Sequence, residues 1–469
     1  MVLQTMADGV GRALETVTAP VTGLFGDATI RLGVTGLSRA GKTVFITSLV
    51  ANLLDRGRMP GVLAAASGSI QHAYLQPQPD DTIPRFDYES HLAAMTGTAP
   101  HWPESTRAVS ELRLSLRIQP RGMIGALSGP RTVHLDIIDY PGEWLLDLAL
   151  LDKSYADWSA EVLARLETRA AAAAFKSATA GLAADTPYKE AHARTLAEAF
   201  TAYLHAARAA GFSDCTPGRF LLPGELEGSP VLTFGPLAGS GGRGSLAREM
   251  ERRFEAYKAK VVKPFFRAHF ARLDRQVVLV DVLGSIHDGP KAVEALRQTM
   301  ADILGAFRPG RNAWLSSLLL GKRVERILFA ATKADHLHHG QHPRLTAIME
   351  ALTREARDRA LFNGALTQAL SIAALRTTTE TEVSHDGQTL PAVAGLTEAG
   401  KRAAFYPGEL PADPARILNP AREAAGAWPF GRVEVTRFAP PVQTIAPGDG
   451  PPHIRLDKAA EFLFGDRLR

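Results

Sequence analysis

The sequence predicts an α/β protein with a mostly parallel sheet, an inserted helical domain and a small carboxyl-terminal subdomain. Three observations predict this fold. In residues 28–144 and 274–376, apolar runs suited to buried strands alternate with helical patterns, as in a parallel sheet with crossover helices. Residues 145–273 carry helical patterns and few strand signals. After residue 376 proline and glycine are frequent, which favours short elements and turns.

The composition is that of a large globular chain. It has 469 residues, of which 45% are hydrophobic, and its formal net charge is +4. This length allows two or three domains, and so small a charge does not indicate a nucleic-acid partner. The single cysteine, Cys215, excludes an internal disulfide and a cysteine-based zinc site. We therefore expect a cytoplasmic protein.

Residues 1–27 are predicted to form an amphipathic helix that docks on the body of the protein, with a membrane-surface helix as the alternative. They lack the basic start, the continuous apolar core and the cleavage site of an export signal. Elsewhere no window reaches about 18 uninterrupted apolar residues, so we expect no membrane-spanning helix. The apolar residues on one face of the predicted helix are Val10, Leu14, Val17, Val21 and Leu24.

The first strand and the first helix are joined by a glycine-containing loop. The strand is predicted at Ala28–Thr35 and the helix at Thr43–Leu54, and the residues between them match GxxxxGK[ST]. In such a loop, backbone N–H groups curl around phosphate oxygens and the helix amino terminus adds positive potential. Lys42 is predicted to reach the terminal phosphates and Thr43 to bind Mg²⁺. The predicted nucleotide-binding residues here are Gly36, Ser38, Arg39, Ala40, Gly41, Lys42, Thr43 and Val44.

A hairpin is predicted after a proline-rich, irregular segment at about 56–106. Glu111–Ile118 alternates polar and apolar residues, and Thr132–Ile138 is more continuously apolar. The second strand ends in Asp139-Tyr140-Pro141-Gly142, which matches DxxG: Asp139 would hold Mg²⁺ through water, and the Gly142 N–H would meet the γ-phosphate. Asp281-Val282-Leu283-Gly284 is a rival at the end of a later strand. We favour Asp139 because its strand directly follows the hairpin partner.

The rest of the chain predicts the following elements. In the helical part they are an alanine-rich helical stretch at Ala156–Ala184, a helix beginning at Thr186-Pro187 and a helix at Ser245–Leu273. Later strands are predicted at Gln276–Leu283, Val324–Ala331 and Leu366–Ala374, with helices at about Pro290–Phe307 and Arg344–Leu361. The last elements are a hairpin turning at His385-Asp386-Gly387 and a helix at Lys458–Phe464. The predicted division is 1–27, 28–144, 145–273, 274–376 and 377–469.

A second motif identifies the base. Thr332-Lys333-Ala334-Asp335 follows a predicted strand and matches [NT]KxD, in which the carboxylate accepts hydrogen bonds from guanine N1–H and the 2-amino group. Adenine lacks both donors, so ATP would leave Asp335 poorly satisfied. The segment Ser371–Leu375 ends the next strand, where a backbone N–H, of Ala373 or Ala374, would meet guanine O6. The predicted ligands are therefore GTP and GDP.

In this order of motifs the chain resembles the P-loop GTPases, and more closely the YcjX-like stress-protein family of bacteria. The stretches that carry the closer resemblance span most of the chain: GLSRAGKTVFITSLVANLL, DYPGEW, ATKADHL, SIAALR, FYPGELP and HIRLDKAAEFLFGDRL. The resemblance implies a P-loop NTPase fold of the small-GTPase kind, GTP/GDP binding with Mg²⁺, a helical insertion and a role in stress. It also implies a membrane-protein partner and peripheral association with the inner membrane as options.

Residues that bear on hydrolysis depart from the small-GTPase pattern. Glu143 follows Gly142, where many small GTPases have the glutamine that orients the attacking water. Three roles are open to it: it positions water or acts as a base, points away, or caps the next helix. Thr106, or Ser105, is placed to close over Mg²⁺, with a plain loop hydroxyl as the alternative. Arg39 and Arg107 are candidate arginine fingers in cis or solvated surface residues. We expect slow hydrolysis.

The sequence leaves other readings open. A nucleotide-gated scaffold that does not hydrolyse GTP is the leading alternative to a GTPase, and a P-loop kinase is weaker because [NT]KxD has no purpose there. Four histidines crowd the loop after the second motif, and we favour a polar surface loop over a Zn²⁺ or Ni²⁺ site because the spacing is irregular. They are His336, His338, His339 and His342.

Overall fold

The computed structural model of the protein describes residues 27–36, 40–104, 108–119, 129–268, 272–305, 324–362, 364–423 and 425–469. The predicted amino-terminal helix, Ser38 and Arg39 of the phosphate loop, and Ser105, Thr106 and Arg107 lie outside the described residues.

A mostly parallel sheet of seven strands stands at the centre of the described residues, in the order β2-β3-β4-β1-β5-β6-β7. The pairs β1–β4, β1–β5, β5–β6 and β6–β7 are parallel, and β2–β3 and β3–β4 are antiparallel. The α/β fold class is therefore confirmed. The strands are β1 Ala28–Gly36, β2 Ile70–Gln76, β3 Ser110–Ile118, β4 Arg131–Asp139, β5 Arg275–Val280, β6 Arg326–Ala331 and β7 Leu366–Ser371.

Helices lie between and after these strands. Near the phosphate loop they are α1 Lys42–Leu54, α2 Leu63–Ala66 and α3 Tyr88–Thr96. Between β4 and β5 they are α4 Gly142–Leu146, α5 Tyr155–Thr168, α6 Ala173–Thr179, α7 Glu190–Ala209, α8 Gly218–Leu221, α9 Leu246–Tyr257 and α10 Lys263–Ala268. After β5 they are α11 Val282–Asp288, α12 Pro290–Gly305, α13 His342–Leu352, α14 Arg354–Phe362, α15 Ala415–Arg422 and α16 Leu456–Phe464.

The central strands are buried on both faces. Along β5, Val277 and Leu279 pack in one apolar core with α1 and α16, whereas Val278 and Val280 pack in another with α11, α12 and α13. This alternation follows from the two-residue period of a strand. It explains why β5, β6 and the central part of β1 read in the sequence as continuous apolar runs rather than as alternating ones.

The helices between β4 and β5 pack around aromatic side chains. Trp158 of α5 is 1% exposed and stacks on Phe254 of α9, with ring centroids 5.0 Å apart. Phe200 of α7 and Phe234 meet the same indole edge-on. These helices were predicted from their periodicity, and the structure shows them between the strand that ends at Asp139 and the strand that begins at Arg275.

A three-stranded antiparallel sheet follows the central sheet in the described chain. The predicted hairpin is confirmed, because β8 and β9 turn through Asp386 and Gly387, both with positive φ. Among the described residues no helix is long and apolar enough to span a membrane. The strands of the small sheet are β8 Thr378–His385, β9 Gln388–Leu396 and β10 Arg402–Phe405.

Two local predictions were wrong. Edge strand β2 lies in the segment that the prolines predicted to be irregular, and it pairs with β3. The helix predicted from Thr186-Pro187 begins instead at Glu190, because Thr186 and Tyr188 form backbone hydrogen bonds with the segment at Gly244–Leu246.

Candidate functional site

The phosphate loop joins the carboxyl end of β1 to α1. Gly41 is the amino-terminal cap of α1 with φ 77°, a conformation that favours glycine. At Gly36 a Cβ atom would lie 2.9 Å from Cγ of Lys42, so only glycine fits without displacing the lysine. The Lys42 Nζ donates to the Gly36 carbonyl at 3.3 Å. Lys42, the first residue of a thirteen-residue helix, therefore reaches back to the last residue of β1. The amino terminus of such a helix favours a bound anion.

Two oxygen ligands lie beside this loop. Thr43, in the first turn of α1, is 7% exposed. Asp139 ends β4 and is 1% exposed, and the parallel register places it opposite Val34 of β1, two residues before Gly36. A hydroxyl and a carboxylate are the hard ligands that Mg²⁺ prefers, so these residues fit that ion. The rival Asp281 is engaged elsewhere: Oδ1 accepts from the Gly284 N–H at 2.9 Å, and Oδ2 pairs with Lys333.

The turn after β6 presents Asp335, which is 4% exposed. Its Oδ2 accepts two hydrogen bonds from Thr377, from the N–H at 2.8 Å and from the hydroxyl at 2.7 Å. Its backbone carbonyl accepts from the hydroxyl of Thr378. Among the described residues no donor meets Oδ1. The sequence missed Thr377, because nothing in the spacing shows how the chain turns back after β7.

The chain after β7 is held by the segment that precedes α16. Ala373 exchanges backbone hydrogen bonds with Ile454, and the Arg455 guanidinium donates to the Ser371 carbonyl at 2.6 Å. The Ala373 N–H is therefore engaged by a protein carbonyl. The N–H of Ala374 has no backbone partner within the described parts of the chain, so it is the better placed of the two to meet a ligand.

These elements line one cavity of about 330 Å³ at the carboxyl edge of the sheet. The phosphate loop, the turn that carries Asp335 and the segment after β7 meet there, although they lie some 300 residues apart in the chain. The described residues of the predicted nucleotide site that line it are Ala40, Gly41, Lys42, Thr43, Val44, Thr332, Lys333, Asp335, Ala373 and Ala374. Open α/β sheets bind ligands at this edge.

The wall of the cavity includes residues that the sequence did not single out. Trp102 donates its Nε1–H to the Phe438 carbonyl at 2.9 Å, which joins the segment before Thr106 to the carboxyl-terminal region. Phe438 packs edge-on against His336, with ring centroids 5.3 Å apart. Burial lowers the pKa of the His336 imidazole from its usual range. Glu398 and Arg437 complete this side. In the sequence, the aromatic or charged character of these residues was the only signal that they could line a binding site.

Gly142 and Glu143 begin α4, next to a second cavity of about 250 Å³. The Glu143 carboxylate lines this cavity and pairs with Arg208 of α7 at 2.7 Å. Its side chain is 7% exposed. Glu143 is not among the residues that line the cavity of the phosphate loop, although Lys333, His336 and Arg437 line both cavities. Thr106, Arg39 and Arg107 lie outside the described residues.

The four histidines after Asp335 have different environments. His342 is buried, and its Nε2 lies 2.8 Å from the Ala334 carbonyl, where it supports the turn. His338 and His339 lie near Glu380, and the ligand atoms of these three residues are within 4.8 Å of one another. His339 is 69% exposed and hydrogen-bonded to Glu380. The loop is thus polar and exposed at His339, as predicted for a surface loop, whereas His342 is buried.

The chain is similar to known proteins over most of its length. The model of the YcjX-like family, DUF463, matches residues 30–468. The chain belongs to the YcjX-like family. A relative from Escherichia coli (strain K12), named Ras-like GTPase YcjX, is 37% identical over 461 residues, which cover 94% of this chain and 97% of the relative. A relative of the same name from Shewanella oneidensis is 34% identical over 470 residues, with 94% and 95% covered.

Membership of the YcjX-like family confirms the resemblance drawn from the sequence. The family match includes the phosphate loop, the Asp335 turn and the segment after β7, so the three elements that line the cavity belong to the matched region. The described residues therefore combine a family-wide fold with a cavity whose chemistry can be tested.

Proposed function

We propose that this YcjX-like protein binds GTP and GDP with Mg²⁺ and hydrolyses GTP slowly, as a nucleotide-dependent switch. The observation that supports it is the cavity in which the phosphate loop and the Asp335 turn face each other. Lys42 and the loop N–H groups would bind phosphates, and Asp335 would bind the base. Thr43 and Asp139 would hold Mg²⁺, which neutralises charge on the phosphates when it is bound. The names of the relatives support the same assignment.

Further parts of the proposal come from the family resemblance of the sequence. We place the switch in a bacterial stress response, in the cytoplasm, with a membrane-protein partner at the inner membrane as an option. The predicted division at 28–144, 145–273, 274–376 and 377–469 is part of the same proposal. Within it, the helices α5 to α10 form the insertion, and α4 leads into it.

The base assignment is tested by Asp335→Asn. Thr377 donates two hydrogen bonds to one oxygen of Asp335. An asparagine would keep its carbonyl oxygen for Thr377 and turn its amide group toward the base. That group donates where guanine also donates, whereas xanthine has an acceptor there. We expect Asp335→Asn to lose GDP affinity and gain affinity for xanthosine diphosphate, measured by calorimetry.

The matched control for this substitution is Glu398→Gln. Glu398 is an exposed carboxylate on the wall of the same cavity, and its loss should leave the preference for guanine over xanthine unchanged. If Asp335→Asn keeps the preference of the wild type for guanosine over xanthosine diphosphate, the Asp335 turn does not recognise the base.

A second function, a nucleotide-gated scaffold that does not hydrolyse GTP, is favoured by one observation. Glu143 is buried in an ion pair with Arg208 and does not line the cavity of the phosphate loop. Phosphate release from GTP, measured for the wild type and for Lys42→Ala, separates the two functions. A GTPase releases phosphate and loses that activity in the variant. A scaffold shows the same background in both proteins.

A further inference from the structure

A short segment follows the DxxG motif, and its first residue, Glu143, contacts the helical insertion. The Glu143 carboxylate pairs with Arg208 near the end of α7, at 2.7 Å. The Glu143 backbone is held as closely: a Cβ atom at Gly218 would lie 1.9 Å from the Glu143 carbonyl oxygen, so the two chains can approach this closely only with glycine at 218. Side chain and backbone of one residue thus both rest on the insertion.

Trp144 continues the attachment. Its indole N–H donates to the Leu222 carbonyl at 3.0 Å. The Arg219 guanidinium lies over the indole ring, 3.2 Å from its centroid, in a cation–π contact. Trp144 is 3% exposed, so these contacts are shielded from solvent. Trp144, the last residue of DYPGEW, therefore contacts the insertion and does not line the cavity of the phosphate loop.

Asp147, just after α4, makes a third attachment. One carboxylate oxygen accepts from the Gly218 N–H at 2.7 Å, and the other accepts from the Tyr257 hydroxyl. Burial raises the pKa of Asp147 to about 6, although these donors oppose the shift. Glu143, Trp144 and Asp147 therefore contact α7, the segment at 218–222 and the end of α9, so a movement of this segment changes its contacts with the insertion.

The charge of Glu143 gives this attachment a consequence for the nucleotide. Glu143 follows Gly142, whose N–H is proposed to meet the γ-phosphate. A carboxylate one residue from that contact would repel the added charge of GTP more than it would repel GDP. In the structure Arg208 supplies the opposite charge, from the insertion, in a pair that is almost fully buried on the glutamate side. Buried pairs are screened much less by salt than exposed ones.

We propose that Arg208 is a positioning residue: by neutralising Glu143 it allows the segment Gly142–Asp147 to settle against the γ-phosphate, and through this segment the helical insertion senses whether GTP or GDP is bound. The inference rests on the proposed function, because it needs a guanine nucleotide with and without a γ-phosphate. It assigns the insertion a role in the nucleotide cycle that no motif in its sequence indicated.

The experiment compares the dissociation constants of GDP and of the non-hydrolysable analogue GMPPNP, with Mg²⁺, by calorimetry on the full-length protein. In Arg208→Ala the affinity for GMPPNP should fall about fivefold or more relative to that for GDP, a typical size for coupling between sites. Arg208→Lys should restore most of the ratio. Arg208→Ala combined with Glu143→Gln should also restore it, because the uncompensated carboxylate is then absent.

The matched control is Arg194→Ala. Arg194 lies on the same helix, α7, is 69% exposed and pairs with Glu190 at 3.6 Å. Its loss should leave the ratio of the two affinities unchanged. If Arg208→Ala does not fold, Glu143→Gln alone tests the inference: it removes the negative charge next to Gly142 and keeps the positive charge of Arg208, so the ratio should shift toward GMPPNP.

The outcomes separate this inference from the function it rests on. A wild type that binds neither GDP nor GMPPNP contradicts the proposed function, and this inference with it. A wild type that binds both, with an Arg208→Ala variant that loses both affinities equally or neither, contradicts only the inference. The inference alone is also contradicted if the double variant still binds GMPPNP more weakly relative to GDP. It is likewise contradicted if Glu143→Gln alone shifts the affinity ratio toward GDP.

Discussion

At the scale of single residues, the contact between Asp335 and Thr377 shows how the base-recognition group is oriented. One carboxylate oxygen accepts both donors of Thr377, and the chain that carries Thr377 is fixed by Ile454 and Arg455 from the far end of the sequence. Because Oδ2 of the carboxylate is fixed by two hydrogen bonds, Oδ1 points in a defined direction. The entropy cost of ordering this side chain when a ligand binds is therefore smaller.

Thr377→Val removes the hydroxyl donor and keeps the N–H and the side-chain volume. A hydrogen bond to a charged group is worth about 1.5–3 kcal/mol, so we expect GDP to bind about tenfold more weakly, measured by calorimetry. Thr379→Val is the control, since the Thr379 hydroxyl only makes a 3.4 Å contact to the Ala394 carbonyl. Equal GDP affinities in Thr377→Val and wild type would contradict this role of Thr377.

The sequence predicted Asp335 and not Thr377 for a physical reason. A motif such as TKAD is a local pattern with fixed spacing, and its chemistry is visible in four residues. Thr377 reaches Asp335 only because Ile454 and Arg455 hold the end of β7, and such long-range contacts leave no periodicity in the chain. For the same reason the pairing of Glu143 with Arg208 could not be read from the sequence.

At the scale of elements, the helices between β4 and β5 are organised by one tryptophan. Trp158 is 1% exposed and contacts aromatic rings from α5, α7 and α9 and from the loop that carries Phe234. Its indole N–H has no hydrogen-bond acceptor among the described residues. The side chain therefore contributes through packing, and its loss would leave a cavity where several helices meet.

Trp158→Ala should lower the free energy of unfolding by about 3–5 kcal/mol, the usual loss for a large buried aromatic residue. Urea unfolding followed by far-ultraviolet circular dichroism measures it without using tryptophan fluorescence. Trp158→Phe is the matched variant: it keeps an aromatic ring and leaves a smaller cavity, and the polar group that it removes has no acceptor among the described residues, so the loss should be smaller. Equal losses in the two variants would argue against packing as the contribution.

Periodicity predicted the existence of these helices better than their ends. The helix of Ser245–Leu273 was predicted from the spacing of its apolar residues, and the structure shows helix from Leu246 to Ala268. The start at Thr186-Pro187 was wrong, because backbone hydrogen bonds to Gly244–Leu246 hold that segment extended. Edge strand β2 was not predicted because it lies in the proline-rich segment before β3. Its residues have only a weak local preference for a strand, and the pairing with β3 overrides that weakness.

At the scale of the whole molecule, the carboxyl-terminal helix closes one face of the sheet. Leu456, Leu463 and Phe464 of α16 are buried in the same core as β1 and α1. The fully buried Arg275 of β5 ties the helix down, because its Nε donates to the Leu463 carbonyl at 2.7 Å and Nη2 pairs with Asp466 at 3.0 Å. The segment before α16 also holds the chain after β7, so the end of the sequence supports the proposed base-binding wall.

This closure explains which part of the fold the sequence could predict. The alternation of strands and helices predicted the parallel sheet, and a short helix at Lys458–Phe464 was predicted as well. Its packing against β5 and β6 was not, because an amphipathic helix shows that it has an apolar face and not which surface that face covers. Trp102 and Phe438 also line the cavity and were not predicted to do so. Their apolar character shows that they can be buried, and not against which surface.

The central claim is that the cavity between the phosphate loop and the Asp335 turn is a guanine-nucleotide site. Calorimetric titration of the full-length protein with GTP, GDP and ATP in the presence of Mg²⁺ tests it most directly. We predict that GTP and GDP bind far more tightly than ATP, because only guanine offers donors to the Asp335 carboxylate. Equal affinities for GTP and ATP would contradict the claim.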